Sequence, residues 1–435
     1  MPSTLLGQKK TAPVEATPPP VRDDFKFDKV DLELLGQVEL LDRRFDRDGM
    51  VFDDPATSDY LARIGKTLIP RDLVLEKVAW KFRALRDPEP NAFALPNGSI
   101  YVTTGLLSLI ENESQLAAVV AHEMAHVMRR HQYLQNRSNR SKYLTMNVIA
   151  LVGALSPGGV PGAIISIAAA IAPFVVMATM SGYSQDLERE ADHRAIDMMI
   201  SVEYPPEEEI TMLKLLAKDI EAEQIRLFYN DHPAIQERIK YLSTYLGTRA
   251  DTITPQMELN REKKRYFQQM GPVIRHNVDL AINASRFRSA VYCAERLVEF
   301  DPVSSENVFL LAEAYRSLGP RSADLSGAEM SNGAKKDLAK KRVKQTLDEE
   351  EKALLATPAG QQNWKTHQAK AESGYLKALG LDAPVPQAHR GLGMLYEKLG
   401  RTAEALAQYE KYLEIVPNAA DRERIQKRID GLRRT

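Results

Sequence analysis

Cysteine is almost absent from this sequence, which has one, Cys293, among 435 residues. A single cysteine excludes an internal disulfide framework and any zinc cluster built from thiolates. The chain also lacks an excess of either charge, since 58 lysines and arginines face 59 aspartates and glutamates. No overall field therefore favours a nucleic acid or a charged membrane as a partner. Any metal ligands must come from histidine, aspartate or glutamate.

The amino terminus lacks the apolar run of a secretory signal peptide. It begins MPSTLLGQKKTAPVEATPPP, which is instead rich in proline and threonine. A segment of this composition buries too little apolar surface to fold by itself. We therefore expect a disordered leader over residues 1–24, and an exported form would be one from which the signal has been removed.

Long uncharged stretches are rare too, with the exception of residues 143–185, which contain no charged side chain. A transmembrane helix needs about 20 strongly apolar residues. In this segment alanine and glycine dominate, and SPGGVPG and Pro173 interrupt it. We favour a buried or interfacial helical hairpin over a membrane span. A peripheral membrane contact through residues 143–185 is the open alternative.

What the chain does contain begins with two amphipathic patterns, DKVDLELLGQVELLDRRF and SDYLARIGKTLI, which predict two helices. KVAWKFRAL predicts a strand, and NAFALPNGSIYVTTGLL predicts two short strands joined by a turn at Pro96, Asn97 and Gly98. ESQLAAVVAHEMAHVMRRH predicts a helix of about five turns. These elements predict a mostly helical domain with a small sheet over residues 25–255.

Paired helical patterns occupy the rest of the chain, residues 256–435. Residues 386–419 have the length of a tetratricopeptide unit and carry its residues at the expected places: Leu392, Gly393, Tyr396, Ala405, Tyr409 and Pro417. Less typical units begin at Gly271 and Ser305, and a charged insert at about 320–365 interrupts the second of them. Stacked units of this kind predict an all-α solenoid that binds a protein partner or presents substrate.

One motif carries chemistry, H-E-x-x-H at His122, Glu123 and His126. Residues four apart lie about 40° apart around a helix, so both imidazoles project from one face and can hold one ion. Glu123 is then aimed at the open position of the ion, where it can take a proton from the attacking water. Two surface histidines are the alternative. The apolar residues around the motif indicate instead a buried helix, in which unpaired histidines would be costly.

A catalytic zinc ion needs a third protein ligand. The metzincin pattern is excluded, because the positions of its glycine and its third histidine hold Arg129 and Gln132. His131 lies about 180° from His122 on a helical wheel. We therefore interpret His131 as a structural or surface residue.

A second helical segment, GYSQDLEREADHRAIDMM, offers carboxylates for the third ligand. Glu188 and Asp192 are four apart and share a face, whereas Glu190 points away from both. One of the pair would bind the metal and the other would orient a ligating imidazole. The spacing alone does not say which residue has which role.

H-E-x-x-H followed by E-x-x-x-D resembles the HtpX and Ste-type gluzincin metallopeptidases, and the joined repeats resemble the BepA-like periplasmic branch. The resemblance implies one zinc ion per chain, with Glu188 as its third ligand and Asp192 as the residue that orients a ligating imidazole. NDHPAIQERIKYL is similar to the H-P segment of that family. This similarity implies that His232 approaches the zinc from a mobile loop, as a latch or a catalytic residue. Gln185 departs from the family, which usually has arginine there.

The segment NAFALPNGSIYVTTGLL is also similar to a stretch of that family, one that forms the edge strand near the site. An unpaired edge accepts a substrate peptide as an added strand, main chain to main chain. The resemblance therefore implies a substrate-binding strand with Asn91, Ala92, Ile100, Tyr101 and Val102. An ordinary core hairpin is the alternative.

The expected fold is an α+β zincin-type metallopeptidase domain followed by an all-α tetratricopeptide-repeat solenoid. The expected function is that of a zinc-dependent endopeptidase acting on unfolded or misassembled proteins. The resemblance implies a bacterial periplasmic or outer-membrane setting and protein quality control. A chaperone or assembly adaptor, with its zinc site closed by His232, is the main alternative. Glu123 favours the enzyme, because an adaptor needs no general base.

Overall fold

The structure is a computed structural model that describes residues 25–71, 73–138, 183–223, 235–247, 254–323 and 347–434. The predicted leader, His232, most of the uncharged segment 143–185 and half of the charged insert lie outside these described residues. The described chain is mostly helical and contains a three-stranded sheet. The predicted fold class is confirmed. None of the described helices combines the length and hydropathy needed to cross a membrane.

From residue 25 onward, two helices precede the sheet, as the amphipathic patterns predict: α1 at Lys29–Arg47 and α2 at Pro55–Leu68. A capping box begins α1, because the carboxylates of Asp28 and Asp31 each accept a hydrogen bond from the other residue's backbone N–H. α2 packs its apolar face against the first strand of the sheet and against the helix that carries the H-E-x-x-H motif.

The sheet consists of β1 (Lys81–Leu85), β2 (Ala92–Ala94) and β3 (Ser99–Thr103), in the order β1-β3-β2. β3 pairs in parallel with β1 and antiparallel with β2. The turn between β2 and β3 requires Gly98, whose φ is +93° and whose added Cβ would meet Val78 at 2.7 Å. The predicted hairpin is confirmed.

The predicted edge position of Ile100, Tyr101 and Val102 is wrong. These residues form the middle of β3, the central strand, whose main-chain groups pair with β1 on one side and β2 on the other. A substrate strand therefore has no free main-chain groups to pair with there. The edge strands are β1 and β2, and of the predicted substrate residues only Ala92 lies in one of them, at the start of β2, with Asn91 directly before it.

The sheet leads into α3 (Thr104–Leu109) and then α4 (Glu113–Met128), the helix that carries the H-E-x-x-H motif. The side chain of Asn112 caps α4, and every residue of α4 is buried. The helix is shorter than predicted, because Arg130 adopts a φ of +57° in the left-handed region. A separate helix, α5 (His131–Ser138), begins at the next residue.

Among the described residues, three further helices belong to this part of the molecule: α6 (Gln185–Ser201), α7 (Glu207–Glu223) and α8 (Ile235–Gly247). The hydroxyl of Ser184 caps α6. α6 and α7 pack against α4, and α8 packs against α7. The motif helix thus packs against α6, the helix that carries both candidate carboxylates, Glu188 and Asp192.

The repeat region is helical throughout its described residues. Its helices are α9 (Pro255–Asn260), α10 (Lys263–Asn283), α11 (Phe287–Phe300), α12 (Ser305–Leu318), α13 (Leu347–Leu355), α14 (Pro358–Gly380), α15 (Gln387–Lys398), α16 (Thr402–Ile415) and α17 (Arg422–Leu432). α10 packs against α11, α12 against α14, and α15 against α16. α12 and α14 thus meet across the charged insert, and their assignment to one repeat unit stays a prediction.

The repeat region packs directly on the N-terminal domain through α10 and α11. α10 contacts α2 and α3. Arg296 of α11 is buried and donates hydrogen bonds to the carbonyls of Ser108, Leu109 and Ile110 at 2.6 to 2.9 Å. These carbonyls end α3, where a cation is favourable. One apolar cluster runs from α2 to α17, so the two regions share a core.

The buried carboxyl of Asp87 makes the stability of the folded state depend on pH. Asp87 follows β1, and its buried carboxylate accepts a hydrogen bond from the Glu89 N–H at 2.9 Å. Burial raises the pKa of Asp87 from 3.8 to about 7. The folded state therefore holds a proton that the unfolded state releases. The stabilisation that this proton gives the folded state is complete below about pH 4 and is lost as the pH rises through 7.

We expect Asp87→Asn to remove this dependence, because the amide stays neutral and its oxygen still accepts from the Glu89 N–H. The variant should exceed the parent in free energy of unfolding at pH 8, by about 2 to 4 kcal/mol. At pH 4 the two should be nearly equal. Urea unfolding at pH 4 and pH 8 measures the free energy of unfolding of both proteins. The same difference between variant and parent at both pH values would contradict this role of Asp87.

Candidate metal centre

Three buried side chains from two helices meet at one point. His122 and His126 project from α4, and their Nε2 atoms lie 3.1 Å apart. Glu188 of α6 places one carboxylate oxygen 3.6 Å from His122 Nε2 and the other 3.5 Å from His126 Nε2. The structure therefore brings together the three residues expected to hold a metal ion.

This donor set fits a zinc ion. Ligand atoms at the usual zinc distances and at tetrahedral angles are separated by about 3.4 Å. The two Nε2 atoms, 3.1 Å apart, lie near that value, and each is 3.5 or 3.6 Å from a different oxygen of Glu188. Two imidazoles and one carboxylate make three protein ligands, the number that catalytic zinc sites have.

Asp192 lies behind His122, with its Oδ1 2.8 Å from His122 Nδ1. This contact keeps a proton on Nδ1 and leaves the Nε2 lone pair for a metal. Burial alone would raise the pKa of Asp192, but the charge of Arg238 and the hydrogen bond from His122 hold it well below its usual range. Glu188 thus faces both Nε2 atoms and Asp192 faces Nδ1, which supports the roles that the family resemblance implies.

Arg238 of α8 connects the two carboxylates, and sequence analysis missed it. Its guanidinium donates to both oxygens of Asp192, at 2.9 and 2.5 Å, and lies 3.2 Å from Glu188. The spacing of Ile235, Arg238 and Leu242 puts all three on the buried face of α8. An arginine on a buried face needs a buried carboxylate, so this pattern could have identified it. Although burial opposes the charge, these carboxylates hold the pKa of Arg238 above its usual range.

Glu209 of α7 adds a third acidic group to this interior. Burial and the charge of Asp192 raise the pKa of Glu209 well above its usual range. Ligand atoms of Glu209, Asp192 and His122 lie within 4.8 Å of one another. His122 Nδ1 faces Asp192 as a proton donor, however, so we do not assign a second metal site there.

His126 has its own set of neighbours. Its Nδ1 lies 2.9 Å from His131 Nδ1, and its ring stacks on Tyr183 with centroids 3.8 Å apart. His131 is fully buried, so of the two predicted interpretations, structural or surface, the structural one agrees with the structure. The helical-wheel angle assumed a single helix, whereas the left-handed Arg130 ends α4 before His131.

Glu190 points away from Glu188 and Asp192, as predicted, and lies against His131 and Arg129 instead. Its Oε2 is 3.3 Å from His131 Nε2, and its Oε1 accepts from the Arg129 guanidinium. The hydrogen bond with His131 and the charge of Arg129 lower the pKa of Glu190, although burial opposes them.

Glu123 shares a small cavity with His122. The cavity has a volume of about 20 Å³, which is enough for one water molecule. Arg238 contributes to its polar wall, and the apolar wall is formed by Ala92, Leu106, Val119, Met212, Leu213 and Leu216. The predicted base and a predicted metal ligand therefore face the same space.

Two other predicted residues do not enter this geometry. His232 lies outside the described residues, and its role stays a prediction. Gln185 is exposed at the start of α6, and its amide donates to Glu237 at 3.3 Å. The residue that departs from the family pattern is thus engaged with α8 at the surface.

Comparisons with known proteins match both regions. The family model described as Peptidase family M48 matches residues 55–246, and one described as Tetratricopeptide repeat matches residues 386–419. The chain is 30% identical over 190 residues to Metalloprotease LoiP of Escherichia coli, a match that covers 43% of this chain and 71% of that protein.

Two other similarities are partial. The chain is 30% identical over 174 residues to the Beta-barrel assembly-enhancing protease of Escherichia coli, covering 38% of this chain and 34% of that protein. It is 25% identical over 220 residues to Mitochondrial metalloendopeptidase OMA1 of Schizosaccharomyces pombe, a match that covers 50% of this chain and 59% of that protein. The matched region spans 41% to 59% of the OMA1 proteins of three organisms.

Asp192→Ala should weaken zinc binding by about 10- to 100-fold, because His122 loses the acceptor that fixes its tautomer. Chelator competition at fixed pH measures the zinc dissociation constant. Tyr241→Phe is the matched control, since it deletes one hydrogen bond to Asp192 and leaves the carboxylate in place. An affinity for zinc in the alanine variant equal to that of the parent would contradict this role.

Proposed function

The chain belongs to peptidase family M48, and from that premise we propose that it is a zinc-dependent endopeptidase that cleaves protein substrates. One observation carries this proposal. His122, His126 and Glu188 converge closely enough for one metal ion to bind all three, and Glu123 faces a water-sized space beside them. Each part needed for metal-assisted peptide hydrolysis is present at one place.

The residues divide the work of hydrolysis between them. A zinc ion held by the two histidines and Glu188 would polarise the scissile carbonyl and make the attacking water more acidic. Glu123 receives the proton of that water and delivers it to the leaving amine. Asp192 and Arg238 keep His122 and Glu188 in position. The apolar wall of the cavity limits the access of other water.

We place the substrate along β2. Ala92 lines the same cavity as His122 and Glu123, and within the described sheet only β3 pairs with β2. The side chain of Asn91 accepts a hydrogen bond from the Ala92 N–H and shapes the start of the strand.

The proposed setting is the bacterial periplasm or outer membrane, with unfolded or misassembled proteins as substrates. The similarity to a protease named for beta-barrel assembly supports it. The tetratricopeptide region would hold a protein partner. A chaperone or assembly adaptor that rarely cleaves is the second candidate, and the repeat region favours it. Glu123 argues against it, because partner binding needs no general base.

Casein digestion tests the proposal. The zinc-loaded chain should release internal fragments, a chelator should stop the reaction, and added zinc should restore it. Mass spectrometry of the fragments separates internal cleavage from trimming at the termini. Terminal trimming alone would contradict an endopeptidase. Zinc binding without any fragments would favour the adaptor.

A further inference from the structure

We propose that His131 and Glu190 together position the metal ligand His126 and fix its tautomer. The three side chains form a row that leads away from the metal centre. His126 Nδ1 is 2.9 Å from His131 Nδ1, and His131 Nε2 is 3.3 Å from Glu190. This inference rests on the proposed zinc site, and it assigns positioning residues that the H-E-x-x-H and E-x-x-x-D motifs do not contain.

The protons of this row follow from its geometry. The Nε2 atom of His126 faces His122 and Glu188, so a bound metal takes that nitrogen and the proton of His126 must sit on Nδ1. His131 Nδ1 must then accept this proton's hydrogen bond. A neutral His131 consequently carries its own proton on Nε2, where it donates to the Glu190 carboxylate.

Glu190 is held so that it can accept. Arg129 donates to its Oε1, and His131 reaches its Oε2. Arg129 directly follows α4 and His131 is the first residue of α5, whereas Glu190 belongs to α6. The pair of His131 and Glu190 therefore also ties α6, which carries Glu188, to the helix that carries both ligating histidines.

The local backbone explains how His131 reaches His126. On a continuous helix His131 would lie five residues, or about 140°, beyond His126. Arg130 instead adopts a φ of +57°, which is unfavourable for a residue with a side chain. The buried guanidinium of Arg130 donates to the Glu76 carbonyl at 2.9 Å and lies over the rings of Phe25 and Phe27. These contacts hold the turn that brings the His131 ring under His126.

The two ligating histidines thus have separate supports of one type. His122 donates to Asp192, which is held by Arg238, and His126 donates to His131, which donates to Glu190, held by Arg129. Acceptors at the second nitrogen of a ligating imidazole fix its orientation and raise its basicity. Tyr183 stacks on the His126 ring and limits its rotation.

Zinc affinity tests this inference with three substitutions. His131→Phe keeps a ring of similar size but removes the acceptor, and we expect about 10- to 100-fold weaker zinc binding. His131→Asn returns an acceptor oxygen near the position of Nδ1 and should recover most of that loss. Glu190→Gln changes the acceptor of His131 and not that of His126, so it should weaken zinc binding less than His131→Phe. Chelator competition at fixed pH gives the dissociation constants.

His367→Phe is the matched control. His367 is a buried histidine of α14 whose Nδ1 contacts the Gly319 carbonyl, remote from the metal centre. This variant should retain the zinc affinity of the parent, and urea midpoints of the metal-free proteins show the stability lost at each position. Unchanged zinc affinity in His131→Phe, or equal losses in the Phe and Asn variants, would overturn the positioning role.

The outcomes also separate this inference from the proposed function. A parent chain that binds zinc but releases no casein fragments contradicts the peptidase, while the affinity series still decides the role of His131. A parent chain that binds no zinc overturns both. Loss of folding in His131→Phe leaves the decision to His131→Asn and Glu190→Gln, whose ranking the proposal fixes: the Asn variant must bind zinc, and the Gln variant must bind it more weakly than the parent.

Discussion

Glu123→Gln should lower casein hydrolysis by about 10²- to 10⁴-fold without loss of zinc. The amide has nearly the same shape as the carboxylate, so the buried α4 keeps its packing. It is not a base at neutral pH, so the attacking water keeps its proton. Because Glu123 is not one of the three metal-facing residues, the zinc content should remain that of the parent.

Glu113→Gln is a suitable control for this result. Glu113 lies on the same helix and is also buried, but it accepts hydrogen bonds from Tyr60, Arg63 and Tyr204 at the opposite end of α4. Its substitution should cost stability and leave kcat/KM per folded molecule close to that of the parent. Parent-like hydrolysis in Glu123→Gln would contradict the role of base.

His126→Ala should abolish zinc binding at concentrations that saturate the parent. Two remaining protein ligands hold zinc poorly, and His126 is the ligand with no exposed surface. His389→Ala is the control, because His389 is a half-buried histidine of α15 that contacts Gln408. Metal analysis after gel filtration gives the zinc content of both variants.

Glu188→Gln belongs to the same test and separates two neighbouring glutamates. Glu188 faces both Nε2 atoms, so its amide variant should lose most of its zinc affinity and its activity. Glu190→Gln should lose less, because Glu190 reaches the metal centre only through His131. A larger loss of zinc affinity in Glu190→Gln than in Glu188→Gln would contradict the assignment of Glu188 as the third ligand.

The local patterns of the sequence predicted the elements that the site needs. Helical spacing put His122 and His126 on one face, and the alternation around Gly98 predicted the hairpin. These features depend on neighbours in the chain, so local reasoning reaches them. Choosing Glu188 over Asp192 required the family resemblance, because both share one face of α6.

The errors concern features that distant residues or single backbone angles decide. The central position of β3 depends on β1, which pairs with it across the intervening chain, and no pattern within β3 reports that partner. The buried position of His131 depends on the left-handed conformation of Arg130, and arginine rarely adopts that conformation. Arg238 had a readable signal, its place on the apolar face of α8.

The most direct test of this account is a zinc titration of the metal-free chain with casein hydrolysis followed in the same samples. The account predicts that hydrolysis rises with added zinc and saturates at one ion per chain. Glu123→Gln should take up the same single ion and remain inactive. Hydrolysis that does not depend on zinc, or one bound ion with no hydrolysis by the parent chain, would contradict it.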